Sequence, residues 1–275
     1  MALALSLVVA ACYGTLDFLG GVIARTSGPA HVSVVSQASS AACLMALSLV
    51  IPAHDLPADY LWAGLAGVSV GVGGLSLYRG LARGRMSVVA PLSAVVAAVL
   101  PVIVGLSTGD RPSTLAFVGI ACAAPAIALV AYSPDDSPTA RSGVGDAVTA
   151  GIGFGFFFIC LAGLSDDAGL RPLAASQIVA CATVAALATI QRLDWLQRRN
   201  PAFRAIWLGP MGAAAAACFV YASRIETLTV VAVITSLYPA VTVLLAMVVL
   251  KERARRVQCI GLVLAAVSVG LVALS

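Results

Sequence analysis

Residues 88–104 read VVAPLSAVVAAVLPVIV, seventeen consecutive positions without a charged side chain. The run is apolar on every face of a helix, unlike a surface helix of a water-soluble domain, which keeps one polar face. A helix needs roughly 20 such residues to cross a hydrocarbon core about 30 Å thick. Comparable runs recur along the chain, as in residues 230–250. They predict an all-α integral membrane protein.

The composition of the whole chain agrees with this prediction. Of its 275 residues, 61% are hydrophobic and only 10% are charged, whereas soluble domains carry about 25% charged residues. A β-barrel would need short segments that alternate between apolar and polar residues, and the runs above do not alternate. We expect about ten transmembrane helices, at residues 2–23, 31–52, 59–80, 86–107, 113–132, 144–163, 172–191, 205–223, 228–249 and 257–274.

A polar linker divides the chain into two similar halves. Residues 134–143 are rich in Pro, Asp and Ser and separate residues 1–133 from residues 144–275. An offset of 142–143 residues relates Leu77-Tyr78-Arg79 to Val220-Tyr221-Ala222 and Ser93 to Ser236. Each half would hold five helices, so the chain is predicted to consist of two five-helix repeats.

The distribution of basic residues indicates that the repeats are inverted. Five is an odd number, so the second repeat must enter the membrane from the opposite side. Of the 16 basic residues, 13 fall in loops that would share one side, and Lys and Arg favour cytoplasmic loops. Both termini are therefore expected outside the cytoplasm. Inverted repeats are typical of secondary transporters that bind substrate between the halves.

Several stretches together resemble one transporter family. They are YGTLDFLGG at residues 13–21, LYRGLARG at 77–84, VVAPL at 88–92, SLYPA at 236–240 and KER at 251–253. In this order they resemble the two-repeat EamA-type proteins of the drug/metabolite transporter superfamily. The resemblance implies a multi-pass carrier in the cell membrane that moves small organic metabolites or drugs, often outward, without ATP. Where the family often has an Arg in helices 2 and 7, this chain has Gln37 and Gln177.

Asp17 is the first candidate for a functional residue, because it lies about 9 Å from the end of its expected helix. Charged groups at such depth usually face a cavity and serve function. Tyr13 and Asp17 share one helical face, whereas Leu16, Leu19 and Ile23 are expected to face lipid. Asp17 could carry a proton, bind a cation or pair with a substrate amine. Alternatively, it makes a structural hydrogen bond or reaches water.

Polar stripes on other helices supply further candidates for the substrate or proton pathway. Helix 2 carries Ser36, Gln37 and Ser40 on one face, and helix 7 carries Gln177. A Gln side chain both donates and accepts hydrogen bonds, so it can orient a polar ligand. The alternative is that these residues only join neighbouring helices. Thr235 and Tyr238 form a similar stripe on helix 9.

Aromatic residues are open to two interpretations. Tyr78 and Tyr221 occupy equivalent positions near the ends of helices 3 and 8, where they could form a gate or simply lie at the membrane interface. Phe154 and residues 156–158 could line a pocket, but lipid contact or packing is favoured. The small-residue motifs at 67–71 and 151–155, with Gly at each end, predict close helix packing.

The remaining features favour a transporter over other classes. The seven cysteines are scattered without metal-ligand spacing, so neither a metal nor another cofactor is expected. The net charge of +4 arises from interhelical loops and predicts no nucleic-acid partner.

The expected partners are a small-molecule solute, the lipid bilayer and a second copy in a homodimer. The alternatives are a non-transporting membrane scaffold or a membrane-embedded enzyme, although the metalloprotease motif H-E-x-x-H is missing.

Overall fold

The computed structural model describes residues 2–51, 54–107, 113–131, 143–165, 167–195, 202–225, 235, 238–251 and 256–273. These residues are almost entirely helical, and no strand occurs among them. The α-helices with described bounds are α1 (Ala2–Ser27), α2 (Pro29–Ser48), α3 (Pro57–Arg83), α4 (Met86–Ser107), α5 (Thr114–Ala131), α6 (Val144–Ala162), α7 (Leu170–Ile190), α8 (Leu208–Ile225), α9 (Tyr238–Val249) and α10 (Arg256–Ala273). A 3₁₀ helix, Ala202–Trp207, precedes α8.

Five of these helices are long and apolar enough to cross a membrane. Their candidate spans are Ala4–Ser27, Pro29–Ser48, Pro57–Arg83, Val144–Leu161 and Leu170–Ile190. Shorter apolar segments occur at Met86–Ala97, Tyr238–Val249 and Cys259–Ser268. The described part of the chain is therefore all-helical, with several potential membrane crossings.

Local sequence signals explain where the first helices end. The first helix continues to Ser27, beyond the expected residue 23, and stops at Gly28, whose φ is +81°. Only glycine adopts such a backbone angle without strain. Pro29 then begins α2, where its missing N–H has no cost. The second helix ends at Ser48, before the expected residue 52. Pro52 follows shortly after this end, and a residue that precedes a proline avoids helical geometry.

In the second half, the eighth and ninth helices are the ones whose described starts differ most from the predicted bounds. The eighth helix starts at Leu208 instead of residue 205, because residues 202–207 form the 3₁₀ helix. The ninth was expected from residue 228, but its described part starts at Tyr238. Most of residues 226–237 lie outside the described part of the chain, so the start of that span stays a prediction.

Eight helices pack as two groups of four. One group contains α1, α2, α8 and α9, and the other contains α3, α4, α6 and α7. The contacts of α2 with α7, α1 with α3, and α4 with α9 join the groups. The last two helices, α5 and α10, pack extensively against each other and also touch α4.

The contacts between the two halves of the chain occur in equivalent pairs. Each helix of the first half has a counterpart five helices later in the second half. If both helices of the α1–α8 contact are replaced by their counterparts, the contact becomes α6–α3, which also occurs. The same operation converts α2–α8 into α7–α3 and α1–α9 into α6–α4, and it leaves α2–α7 and α5–α10 unchanged. Helices of one half are thus embedded among helices of the other.

Small residues allow these helices to approach closely. A Cβ added to Gly153 of α6 would lie 2.7 Å from both the Cα of Gly73 and the carbonyl oxygen of Ser69 on α3. The two motifs at 67–71 and 151–155 likewise face the backbones of α7 and α4. Their prediction as packing motifs is confirmed.

Polar contacts hold both ends of α3 against the second half. Near its start, the buried Asp59 carboxylate accepts hydrogen bonds from the N–H and hydroxyl of Ser165, both at 2.8 Å, and from the N–H of Leu56 at 2.8 Å. Near its end, Arg79 donates to Asp146 at 2.6 Å and to Gln191 at 3.3 Å. This helix therefore belongs structurally with α6 and α7.

Candidate functional site

A cavity of about 140 Å³ lies between the two halves of the chain. It is lined by side chains from α1, α2, α3, α6, α7, α8 and α9. The principal lining residues are Tyr13 and Asp17 of α1; Ser36, Gln37 and Ser40 of α2; Tyr78 of α3; Phe154, Phe157 and Phe158 of α6; Gln177 of α7; Phe219 of α8; and Tyr238 of α9. Eight of the ten residues singled out from the sequence thus meet in one place.

The crossing of α1 and α9 forms one wall of this cavity. The Thr242 hydroxyl donates to the carbonyl oxygen of Gly14 at 3.0 Å. A side chain at Gly14 would collide with the carbonyl oxygen of Tyr238 and the side chain of Val241. This close approach brings Tyr13 and Tyr238 together edge to face, with ring centroids 6.4 Å apart. Aromatic edges and faces attract each other in this arrangement.

Asp17 lies one helical turn beyond Tyr13 and is only 7% exposed. The phenol groups of Tyr13, Tyr78 and Tyr238 are close enough to interact electrostatically with its carboxylate. No Lys or Arg among the described residues forms an ion pair with it. It is also the only charged residue among the described residues that line the cavity. The carboxylate is therefore both buried and accessible to a solute in the cavity.

Tyr78 reaches the cavity because α1 has a glycine opposite it. A Cβ on Gly20 would come within 2.7 Å of the Tyr78 Cζ atom and 2.9 Å of its hydroxyl oxygen. The ring therefore lies directly against the α1 backbone, and its hydroxyl lies close to the Ser36 side chain of α2. Tyr78 is 4% exposed, so this residue is not the interfacial tyrosine of the alternative interpretation.

The polar stripe of α2 faces the cavity as its spacing predicts. The Ser36 hydroxyl donates to the Ser33 carbonyl at 3.1 Å, which leaves its own oxygen able to accept. The Gln37 amide nitrogen lies 3.4 Å from where a Cβ of Gly74 would be. Gln177 approaches the same cavity from α7, the helix that packs on α2. The two amides thus come from equivalent helices of the two halves.

Three phenylalanines of α6 line the cavity, which the sequence interpretation did not favour. Phe154, Phe157 and Phe158 face inward, and the rings of Phe157 and Phe158 are 5.6 Å apart. Phe156 is 48% exposed on another face of the helix. The i, i+3, i+4 spacing of the inward residues is a signal for a common face, but it does not distinguish a face toward a cavity from one toward lipid.

The structure does not bring every candidate to the cavity. Tyr221 is 52% exposed on α8, whereas Phe219, two residues earlier, lines the cavity. Thr235 is buried with a hydroxyl that has no hydrogen-bond partner among the described residues, and it does not line the cavity. On α1, Leu19 is 40% exposed, but Leu16 lines the cavity and Ile23 packs against the core. The expectation that Leu16 and Ile23 face lipid was wrong, since helices pack around most of α1.

The described residues hold no group of three or more His, Cys, Asp or Glu side chains placed to bind a metal ion. The cavity therefore offers one carboxylate, several hydroxyls, two amides and an aromatic surface. Such a set can bind an organic solute by charge, hydrogen bonds and ring contacts.

Comparisons with known proteins give a match to the fold and a separate match to one family. Fifteen solved chains match the fold. One of them, described only as the crystal structure of a protein, superposes with a TM-score of 0.65 over 99% of this chain and 97% of its own, at 14% identity. No curated protein matches the sequence. Residues 141–274 match the model of the EamA-like transporter family. The chain contains an EamA-like transporter domain.

This match and the long apolar helices together support a multi-pass membrane protein. The EamA-like domain contributes the phenylalanines of α6, Gln177 and Tyr238 to the cavity. Asp17, Gln37 and Tyr78 come from the preceding half. The candidate site is therefore shared between the EamA-like domain and the helices that precede it.

Proposed function

We propose that this EamA-like protein is a secondary transporter that exports small organic metabolites or drugs across the cell membrane. The observation that carries the proposal is the cavity between the halves, lined by Asp17, Gln37 and Gln177. Secondary transporters bind substrate near the membrane midplane at such an interface. The outward direction rests on the resemblance of the sequence to exporters of the family.

Alternating access would arise from two inverted repeats, residues 1–133 and 144–275. The paired helix contacts support this interpretation, because exchanging equivalent helices reproduces the main contacts between the two halves. The two four-helix groups would rock against each other around the cavity, which requires the contacts of α2 with α7, α1 with α3 and α4 with α9 to rearrange. In one state the cavity would open to the cytoplasm, and in the other to the outside.

A proton is the coupling ion that we propose, with Asp17 as its carrier. A buried charge without a partner is costly, so the carboxylate should bind either a proton or a cationic substrate. A transporter is coupled when its two ligands favour different conformations. Protonation of Asp17 in one state and release in the other would meet this condition.

Two other functions compete with transport. A non-transporting scaffold would have no reason to keep a carboxylate in a central cavity, and an enzyme would need a catalytic group in addition to it. A screen of metabolites by thermal shift on the detergent-purified protein identifies ligands, because a ligand that binds only the folded state stabilises it. Saturable flux of a labelled ligand into proteoliposomes supports the transporter. Specific binding without flux would contradict it.

A further inference from the structure

We propose that the solute is a small organic ammonium ion, whose charge pairs with Asp17 and whose apolar body packs on the phenylalanines of α6. This inference rests on the proposed transport function and names its substrate class.

The charge of the cavity selects the sign of the solute. Asp17 is the only charged residue among the described lining residues, so an anionic solute would meet a carboxylate and no basic group. A neutral solute would leave the carboxylate to be neutralised by a proton alone. An ammonium ion compensates the charge directly and donates hydrogen bonds to it. Such charge-assisted hydrogen bonds are stronger than neutral ones.

The rings around the carboxylate favour the same class of solute. Tyr13 and Tyr238 pack edge to face beside Asp17, and Tyr78 approaches it from α3. Ring faces attract organic cations, and the attraction is larger in a desolvated site. Phe154, Phe157 and Phe158 offer an apolar surface in the same cavity. A solute with a cationic head and an apolar or aromatic body uses both surfaces.

The amides and the volume limit the solute further. Gln37 and Gln177 can accept hydrogen bonds from an ammonium group or from another polar substituent. The volume of about 140 Å³ is below the roughly 300–1,000 Å³ of pockets for drug-sized ligands. The cavity therefore suits a solute with a single ring or a short aliphatic body.

Three probes of nearly equal size test the charge preference. The purified full-length protein is titrated calorimetrically with 2-phenylethylamine, 2-phenylethanol and 3-phenylpropanoate, which are cationic, neutral and anionic near pH 7. The expected result is binding of the amine at least tenfold tighter than that of the other two. Binding of the alcohol or the carboxylate as tight as that of the amine would overturn the proposal.

Matched variants locate the binding in the cavity. Asp17→Asn should weaken amine binding at least tenfold, whereas Asp167→Asn, which removes an exposed loop carboxylate, should leave it unchanged. Phe157→Leu should weaken binding roughly 2- to 10-fold through the lost ring contact with the apolar body of the solute. Phe156→Leu, on the exposed face of the same helix, is its control. Equal affinity of wild type and Asp17→Asn, or of the two Phe variants, would overturn the proposal.

The outcomes separate the substrate class from the transport function. If Asp17→Asn does not fold, the probe series and the two Phe variants still decide. If the amine fails to bind but another solute shows saturable flux, the substrate class is wrong and the transporter stands. If the amine binds through Asp17 but no solute shows flux, the cation site stands and the transport proposal is wrong.

Discussion

At the scale of single residues, the surroundings of Asp17 explain why it could serve transport. Its carboxylate lies in the cavity with three tyrosines and no basic residue among the described lining. A permanent ion pair would fix its charge and make it a structural group. Without one, the carboxylate remains available to exchange a proton for a cation.

The contact of Tyr78 with Gly20 yields a prediction for substrate binding. Gly20→Ala should push the Tyr78 ring away, because the new Cβ would overlap it. We expect a loss of about 1–3 kcal/mol of stability from overpacking and weaker binding of the ammonium probe. The measurements are thermal unfolding and titration of the purified protein.

Gly64→Ala is the control for this variant, since a Cβ at Gly64 would meet no atom within 4 Å. It should leave both stability and binding near wild type. Equal behaviour of the two variants would show that the ring contact is unimportant.

The sequence alone predicted much of the site at this scale. Tyr13 and Asp17 could be placed on one face because helical spacing is fixed, and the stripe of α2 followed in the same way. The phenylalanines of α6 were not favoured, because apolar residues suit lipid and cavity equally. The repeat related Tyr221 to Tyr78, but only packing decides which side of a helix faces inward.

At the scale of helices, α3 is attached at both ends to the second half, and Asp59 provides one attachment. Asp59→Ala should remove the buried carboxylate that accepts from the part-buried N–H groups of Leu56 and Ser165. A hydrogen bond to a charged acceptor contributes about 1.5–3 kcal/mol, so the thermal midpoint of the variant should fall clearly.

Asp55→Ala is a matched comparison for Asp59→Ala. Asp55 also accepts an N–H group, that of Gly169 at 3.0 Å, but it is partly exposed. Water can replace its carboxylate, so the loss of stability should be smaller. A larger loss for Asp55→Ala would contradict the attachment of α3 through Asp59.

The crossing of α3 and α6 gives a second prediction at this scale. Gly153→Ala should destabilise the protein by about 1–3 kcal/mol, because the added carbon would meet backbone atoms of α3 that cannot move aside. The control is Gly145→Ala in the same helix, where the added carbon would meet no atom within 4 Å. Because Ala has a higher helix propensity than Gly, this substitution should be neutral or stabilising. Thermal unfolding of both variants tests this, and similar midpoints would contradict the close crossing.

Helix positions could be predicted well where polar breaks are short. The fourth helix, Met86–Ser107, has the predicted bounds. The first extends farther than predicted because Gly28, not the last apolar residue, ends it. The 3₁₀ helix before α8 could not be foreseen, since its apolar residues resemble the start of a span.

At the scale of the whole molecule, the proposed inverted repeats have a consequence for orientation. If 13 of the 16 basic residues lie on the cytoplasmic side, both termini lie outside. Cysteines introduced at Ala2 and Ser275, in a background without the seven native cysteines, should react with a membrane-impermeant reagent in intact cells. Labelling of both only after lysis would contradict this orientation.

The most direct test of the central claim is transport of (2-phenylethyl)trimethylammonium into proteoliposomes with an acidic lumen. This ion has no titratable proton, so a pH gradient moves it only through the protein. Wild type and Asp167→Asn should accumulate it and lose the accumulation when the gradient is collapsed, whereas Asp17→Asn should not accumulate it. If Asp17→Asn only exchanges the ion, Asp17 carries the proton but does not bind the ammonium group. Accumulation by Asp17→Asn equal to that of wild type, with the same pH dependence, would contradict the account.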